Sequence, residues 1–238
     1  MTIPTTTRNA ERPLYVWAAL AAMVIVFAGF ARTFYLKAIF DPSSLSVLLA
    51  THGTVMTGWF VLFFVQVRLV ASQRVAMHRK LGIFGAALAM LVLFLGVATA
   101  ITAVRLGHVP PGGPPPRIFL AVPLGDMLVF ACLVGAGLLL RKRSDYHKRF
   151  MLLSCVGILT PAIARIPLEA WQQAGIVPYF LASDAIVVAC IAWDTIRNRR
   201  LHPAFIAGGL LVIASWPLRL AFTGTEAWAR FTEWLAIP

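Results

Sequence analysis

The sequence predicts an all-α, polytopic bundle of about seven transmembrane helices with its N-terminus on the cytoplasmic side. Hydrophobic residues make up 60% of the 238 residues and charged residues 13%, and the mean hydropathy is +0.82. Several apolar stretches approach the ~20 residues that a helix needs to cross a bilayer. The basic residues lie in short runs between these stretches, which is typical of membrane topology. The formal charge of +12 therefore indicates a lipid bilayer as partner and no nucleic acid.

The chain is expected to form one integral membrane domain over residues 1–238. A polar tail, 1–13, precedes the first apolar run. That run is long and lacks a clear small-residue cleavage site, so it is interpreted as a retained helix and not as a signal peptide. The predicted spans are 14–36, 44–67, 81–104, 118–140, 149–168, 177–195 and 203–222.

The distribution of lysine and arginine predicts the orientation. The N-terminal tail and the links after the second, fourth and sixth spans together hold 14 of the 21 basic residues. Because cytoplasmic links carry the excess of positive charge, these links are assigned to the cytoplasm and the C-terminus to the outside. The opposite links include the proline-rich loop 109–116. Residues 224–238 place Trp228, Phe231 and Trp234 near helical spacing, which predicts a short helix in the outer interface.

Four ionisable residues interrupt otherwise apolar spans: His52, Asp126, Arg165 and Asp184. Such residues are costly in hydrocarbon unless they face a protein interior and find partners. The helical rise places three of them roughly 10–12 Å below the outer surface and returns Arg165 to nearly the same level. Arg32 and Arg219, near the outer ends of the first and last spans, could join this layer from above. Thr51, Thr54, Ser183 and Trp216 supply further hydrogen-bonding groups at that depth.

We expect the layer to form an outward-facing polar pocket that binds or moves a small polar ligand or protons. In this interpretation Arg165 pairs with one carboxylate, which lowers the desolvation cost of both groups. The second carboxylate and His52 then handle the ligand or proton, and Arg32 screens the entrance. The alternative is that buried Arg–Asp pairs only fix helix packing.

A weak internal repeat points to a second site. Arg74-Val-Ala-Met-His78-Arg-Lys-Leu81 is similar to Arg143-Ser-Asp-Tyr-His147-Lys-Arg-Phe150. The repeat suggests that the second and third spans and the fourth and fifth spans form similar hairpins. His78 and His147 would then lie at equivalent cytoplasmic helix starts, where they could hold a bis-histidine b-type haem, and the chain would then be a membrane redox protein. The alternative is that both histidines cap helices, reach the lipid headgroups or bind phosphates.

Other chemistries find no support in the sequence. Cys132, Cys155 and Cys190 lie in apolar spans without paired spacing, which indicates neither a disulfide framework nor a thiolate metal site. No His-Glu-x-x-His motif, phosphate-binding glycine loop or nucleophile elbow occurs. No metal site is predicted.

Phe30-Ala-Arg-Thr-Phe-Tyr35, His52, Trp59, Gln66, His78-Arg-Lys-Leu-Gly82 and His147-Lys-Arg-Phe-Met151 resemble the pattern of bacterial multi-pass membrane proteins that form families of unknown function. The His-Arg-x-Leu-Gly element is also loosely similar to one in some haem-binding membrane proteins. The resemblance implies an integral protein of the bacterial cytoplasmic (inner) membrane and carries over no activity. A homo-oligomer and a structural subunit of a larger membrane complex remain open alternatives.

Overall fold

The computed structural model describes residues 5–109, 113–235 and 237, with side chains described from Pro13 onward. Within these residues helices joined by turns and loops make up the chain, and there is no strand. The helices are α1 (Thr5–Phe30), which continues into a π-helical turn (Ala31–Tyr35), α2 (Lys37–Phe40), α3 (Val47–Ala71), α4 (Val75–Arg105), α5 (Pro116–Phe119), α6 (Ala121–Leu139), α7 (Ser144–Val156), α8 (Thr160–Ala164), α9 (Glu169–Gln172), α10 (Ile176–Asn198), α11 (Pro203–Phe222) and α12 (Glu226–Trp234).

Six helical spans in the described chain are long and apolar enough to cross a membrane, which confirms the predicted all-α polytopic bundle. The spans are Pro13–Tyr35, Val47–Ala71, Val75–Arg105, Pro116–Leu139, Ile176–Asn198 and Pro203–Phe222. Large apolar side chains cover the outside of the bundle. On α4, for example, Ile83, Met90 and Phe94 are 77%, 67% and 69% exposed. A surface of this kind is suited to lipid and not to water, so the chain is a multi-pass membrane protein.

The core lies where α3, α6, α7 and α11 meet. Phe130, Leu153 and Phe205 are fully buried there, and the Trp59 ring contacts Phe130 edge-on at 5.0 Å between centroids. Helices α3 and α4 form one antiparallel hairpin, and α6 and α7 form another. Small residues allow the closest approach: a Cβ atom on Gly29 would lie 2.0 Å from the Ala162 carbonyl oxygen, so α1 and α8 touch through their backbones.

The fifth span is broken in the middle, contrary to the continuous helix predicted for 149–168. Helix α7 ends at Val156 and α8 begins at Thr160. Pro161 explains the break, because proline lacks an N–H group and its ring clashes with the carbonyl four residues earlier, here that of Gly157. Residues 152–160 are all buried. Non-helical backbone at membrane depth is tolerated when protein surrounds it.

Helix α12 closes one end of the bundle over the ends of α4, α5 and α6. The Trp228 indole donates to the Arg117 carbonyl at 2.8 Å, and Arg105 Nε donates to the Leu235 carbonyl at 2.8 Å. Trp228 is buried, whereas Phe231 and Trp234 remain exposed. Part of the predicted tail (1–4) and of the proline loop (110–112), as well as residues 236 and 238, lie outside the described residues.

Candidate functional site

Helices α6, α10 and α11 bring the two intramembrane carboxylates together at the end of the bundle away from the basic links. Asp126 lies in the first turns of α6, Asp184 in the first half of α10, and Arg219 near the end of α11. Asp126 and Asp184 line one cavity. We call this group the carboxylate site and define it by Asp126, Ser183, Asp184, Ser215, Trp216 and Arg219.

Arg219 is the cation of the carboxylate site. Its Nη1 atom donates to Asp126 Oδ1 at 2.6 Å and to the Val122 carbonyl at 2.8 Å. Its Nη2 atom donates to Ser215 Oγ at 2.7 Å. The side chains of Arg219 and Asp126 are only 10% and 4% exposed. A buried ion pair of this kind is tolerated when further hydrogen bonds satisfy the remaining donors.

Two aromatic residues, Trp216 and Phe180, lie beside Asp184. The Trp216 indole Nε1 donates to Asp184 Oδ2 at 2.9 Å. Phe180, one turn earlier on α10, stacks on the Trp216 ring at 5.1 Å and lies 5.6 Å from the Arg219 guanidinium carbon. Phe180 thus contacts the Trp216 ring, whose indole N–H is directed at Asp184, and also faces the Arg219 guanidinium.

Two buried polar atoms of the site have no partner among the described residues: Asp126 Oδ2 and Ser183 Oγ. The cavity between the site residues measures about 10 Å³, which is about the space that one water molecule needs. Gly157 and Thr160, at the break between α7 and α8, also line it. The cavity therefore has room for about one water molecule and for no larger ligand.

The other predicted residues of the outer layer lie elsewhere, around the end of α1. In the described structure Arg165 forms no ion pair with either carboxylate; Nη1 donates to the Pro161 carbonyl at 2.9 Å, and the guanidinium lies 5.1 Å from the Phe30 ring centroid. His52 is close enough to Arg165 to feel its charge, and its buried Nδ1 has no partner among the described residues. Arg32 lies over the Phe40 ring at 5.3 Å. None of the three lines the cavity of the carboxylate site.

In the described structure Arg219, and not Arg165, forms the ion pair with an intramembrane carboxylate, and Ser215 and Thr160 join the site. The spacing of Ser215, Trp216 and Arg219 could have predicted that they lie together, because residues three and four apart share one helix face. Thr160 could not be recognised from the sequence, since it reaches the cavity only because the fifth span is broken.

The basic end of the bundle, which carries the links 72–74, 140–143 and 199–202, holds a second polar network. Arg149 Nε and Nη2 bind the Asp194 carboxylate in a two-pronged ion pair at 2.7–3.0 Å, with side-chain exposures of 3% and 0%. His202 Nε2 lies 3.2 Å from Asp145 Oδ2, and His202 Nδ1 accepts from the Ala204 amide at 3.1 Å. These bonds join α7 to α10 and α11.

His78 and His147 also meet at the basic end. Their ring centroids are 6.2 Å apart and the ring planes are inclined by 74°. The structure therefore brings together the two histidines of the sequence repeat, which we call the histidine pair.

Comparisons with models of protein families, with curated proteins and with solved structures find no match.

Proposed function

We propose that this chain is a multi-pass protein of the bacterial cytoplasmic membrane that binds and passes on protons at the carboxylate site. The observation that carries the proposal is the unpartnered Asp126 Oδ2, buried beside a cavity of one-water size that Asp184 and Ser183 share. The short basic links between the spans support the cytoplasmic membrane as location.

The asymmetry of Asp126 favours proton exchange. Arg219 holds Oδ1, whereas a buried acceptor such as Oδ2 is costly if it stays without a hydrogen bond. A water in the cavity can donate to the ionised Oδ2 or accept a hydrogen bond from the protonated Oδ2. The carboxyl group can therefore be satisfied in both protonation states at this position.

Asp184 and Ser183 are the next groups that can accept the proton. The Asp184 carboxylate keeps Oδ1 available, because the Trp216 indole bonds only to Oδ2 in the described structure. Ser183 Oγ can both donate and accept a hydrogen bond. A single water between these groups would connect the two carboxylates. The volume of the cavity argues against a larger polar ligand.

Infrared difference spectroscopy of the purified protein during a pH change tests the proposal. The wild type is expected to show a C=O stretching band of a buried carboxylic acid, and this band should disappear in Asp126→Asn. In liposomes that contain a pH-sensitive dye, Asp126→Asn and Asp184→Asn should each slow proton movement under an imposed gradient. Asp41→Asn, which alters an exposed carboxylate outside the spans, should leave both measurements unchanged.

A purely structural role predicts a different result. The two site variants would then unfold at lower temperature but keep the wild-type infrared band and proton movement. That outcome, or a wild type without any titrating carboxyl band, would contradict the proposal.

A further inference from the structure

The histidine pair lies at the basic end of the bundle, opposite the carboxylate site, and shares no residue with it. Each histidine is the fourth residue of its helix. The His78 amide donates to the carbonyl of the N-cap residue Arg74 at 3.1 Å, and the His147 amide donates to the carbonyl of the N-cap residue Arg143 at 3.0 Å. The short sequence repeat therefore corresponds to one local geometry that occurs twice and brings the two imidazole rings to 6.2 Å between centroids.

The state of one imidazole follows from its hydrogen bond. His147 Nδ1 lies 2.8 Å from the Gly137 carbonyl oxygen, which can only accept. Nδ1 therefore carries the proton, and Nε2 of neutral His147 carries a free lone pair. A bond from the other ring nitrogen to a backbone carbonyl is the arrangement that orients a metal-binding histidine and raises its basicity.

The separation of the rings matches two axial ligands of one metal. An imidazole nitrogen binds a transition metal at about 2 Å, so two imidazoles on opposite sides of one ion have ring centres roughly 6 Å apart. The observed separation is 6.2 Å. The inclination of 74° between the rings is compatible with axial ligands, each of which can rotate about its own bond to the metal.

The number of available protein ligands indicates which kind of metal centre the histidine pair could hold. In the part of the chain that the structure describes, no group of three or more His, Cys, Asp or Glu residues could hold a metal ion. Structural and catalytic zinc sites need three or four protein ligands. Haem iron already has four porphyrin nitrogens and accepts two protein ligands on its axis.

The location of the histidine pair suits both the apolar ring system and the charged propionates of a haem. The 31-residue helix α4 measures about 46 Å at 1.5 Å per residue, longer than the ~30 Å hydrocarbon layer, so its first turn reaches the surface region. Both histidines are half-buried there. Arg79 and Lys148 follow them directly in the sequence and supply positive charge for carboxylate groups such as haem propionates. From these observations we infer that His78 and His147 are the two axial ligands of a b-type haem.

Titration of the purified protein with hemin tests this inference. The wild type is expected to bind one haem per chain with the Soret band and the low-spin spectrum of two imidazole ligands. Its ferric electron paramagnetic resonance signal should be of the highly anisotropic type that steeply inclined imidazole planes produce. His78→Ala and His147→Ala should each lose the low-spin spectrum, and His108→Ala, in an exposed link, should keep it.

Two measurements keep the test decisive if an alanine variant folds poorly. Gel filtration and circular dichroism report folding, and free imidazole added to a folded His78→Ala protein should restore the low-spin spectrum. A wild type that takes up no hemin, or a spectrum that persists in the double variant His78→Ala/His147→Ala, would overturn the inference. The second result would mean adventitious binding only. Because Asp126→Asn leaves the pair intact, its haem spectrum should equal that of the wild type whatever the outcome at the carboxylate site.

Discussion

The ion pair between Arg219 and Asp126 exists because residue 125 has no side chain. A Cβ atom on Gly125 would lie 2.6 Å from Arg219 Nε and 2.7 Å from its Cζ atom. The guanidinium thus crosses directly over the α6 backbone to reach both Val122 and Asp126. Glycine at position 125 therefore leaves free the space that the Arg219 guanidinium occupies.

Gly125→Ala is therefore expected to displace Arg219 and to destabilise the protein by about 1–3 kcal/mol, the usual cost of forcing extra atoms into a packed site. Thermal unfolding in detergent measures this. Gly135→Ala on the same helix is the matched control, because a Cβ atom there meets nothing within 4 Å. Equal melting temperatures for the two variants would show that Arg219 moves away at no cost.

His202 determines how stability responds to pH at the basic end. Its Nδ1 accepts from Ala204, so Nε2 carries the proton and donates to Asp145. Burial, with a smaller contribution from the Arg149 charge, lowers the pKa of His202 below its ordinary value of 6.5. Partial burial of Asp145 acts to raise its pKa, but the bond from His202 and backbone bonds outweigh this and lower it.

The sign of the pH dependence follows from these shifts. Below pH 6.5 the unfolded chain binds a proton at His202 that the folded protein resists, so stability falls as the pH decreases from 6.5 toward the lowered pKa. His202→Asn should flatten this part of the curve of melting temperature against pH, since asparagine can also cap α11 and donate to Asp145 without titrating. An unchanged slope in His202→Asn would disprove the assignment to this residue.

At the scale of elements, the broken fifth span depends on contacts that a continuous helix would not need. Helix α7 has 13 residues and α8 has five, too few for either to cross a bilayer alone. The buried pair of Arg149 and Asp194 ties the start of α7 to α10. The break itself contributes Gly157 and Thr160 to the carboxylate-site cavity. The broken span therefore contributes residues to both polar ends of the bundle.

Replacing Asp194 by asparagine should destabilise the protein by about 3–5 kcal/mol, because Arg149 would remain buried without this carboxylate. The double variant Arg149→Met/Asp194→Leu removes both charges and should recover most of the loss. Melting temperatures of both variants in detergent check this. A double variant as unstable as Asp194→Asn would mean that the pair contributes more than mutual neutralisation.

The hydropathy of residues 149–168 predicts a span but not its break. Pro161 is visible in the sequence, yet many transmembrane helices tolerate proline when neighbouring groups satisfy the freed backbone. Here α8 instead packs against α1 at Gly29, where Ala162 comes within backbone contact. That contact is a property of the assembled bundle.

For the whole molecule, the basic links predict which end faces the cytoplasm. In a background without Cys132, Cys155 and Cys190, a cysteine at the exposed position 142 should be protected from a membrane-impermeant thiol reagent in intact bacterial cells. A cysteine at the exposed position 108 should react. Permeabilised cells, in which both should react, are the control. The reverse pattern would invert the topology and place the carboxylate site toward the cytoplasm.

The order of amino acids alone determines that this chain is a helical membrane protein, where six of its seven predicted spans lie to within a few residues, and that its spans contain ionisable groups. Those properties depend on local composition, because hydrocarbon excludes unpaired backbone groups and admits only helices of sufficient length in such a chain. The equivalence of His78 and His147 is likewise visible in the repeat. Only the tertiary structure decided that Arg219 forms the ion pair with Asp126, and that the ring centroids of the two histidines lie 6.2 Å apart. Depth along a helix can be counted from the sequence, but the direction in which each helix face points depends on how its neighbours pack.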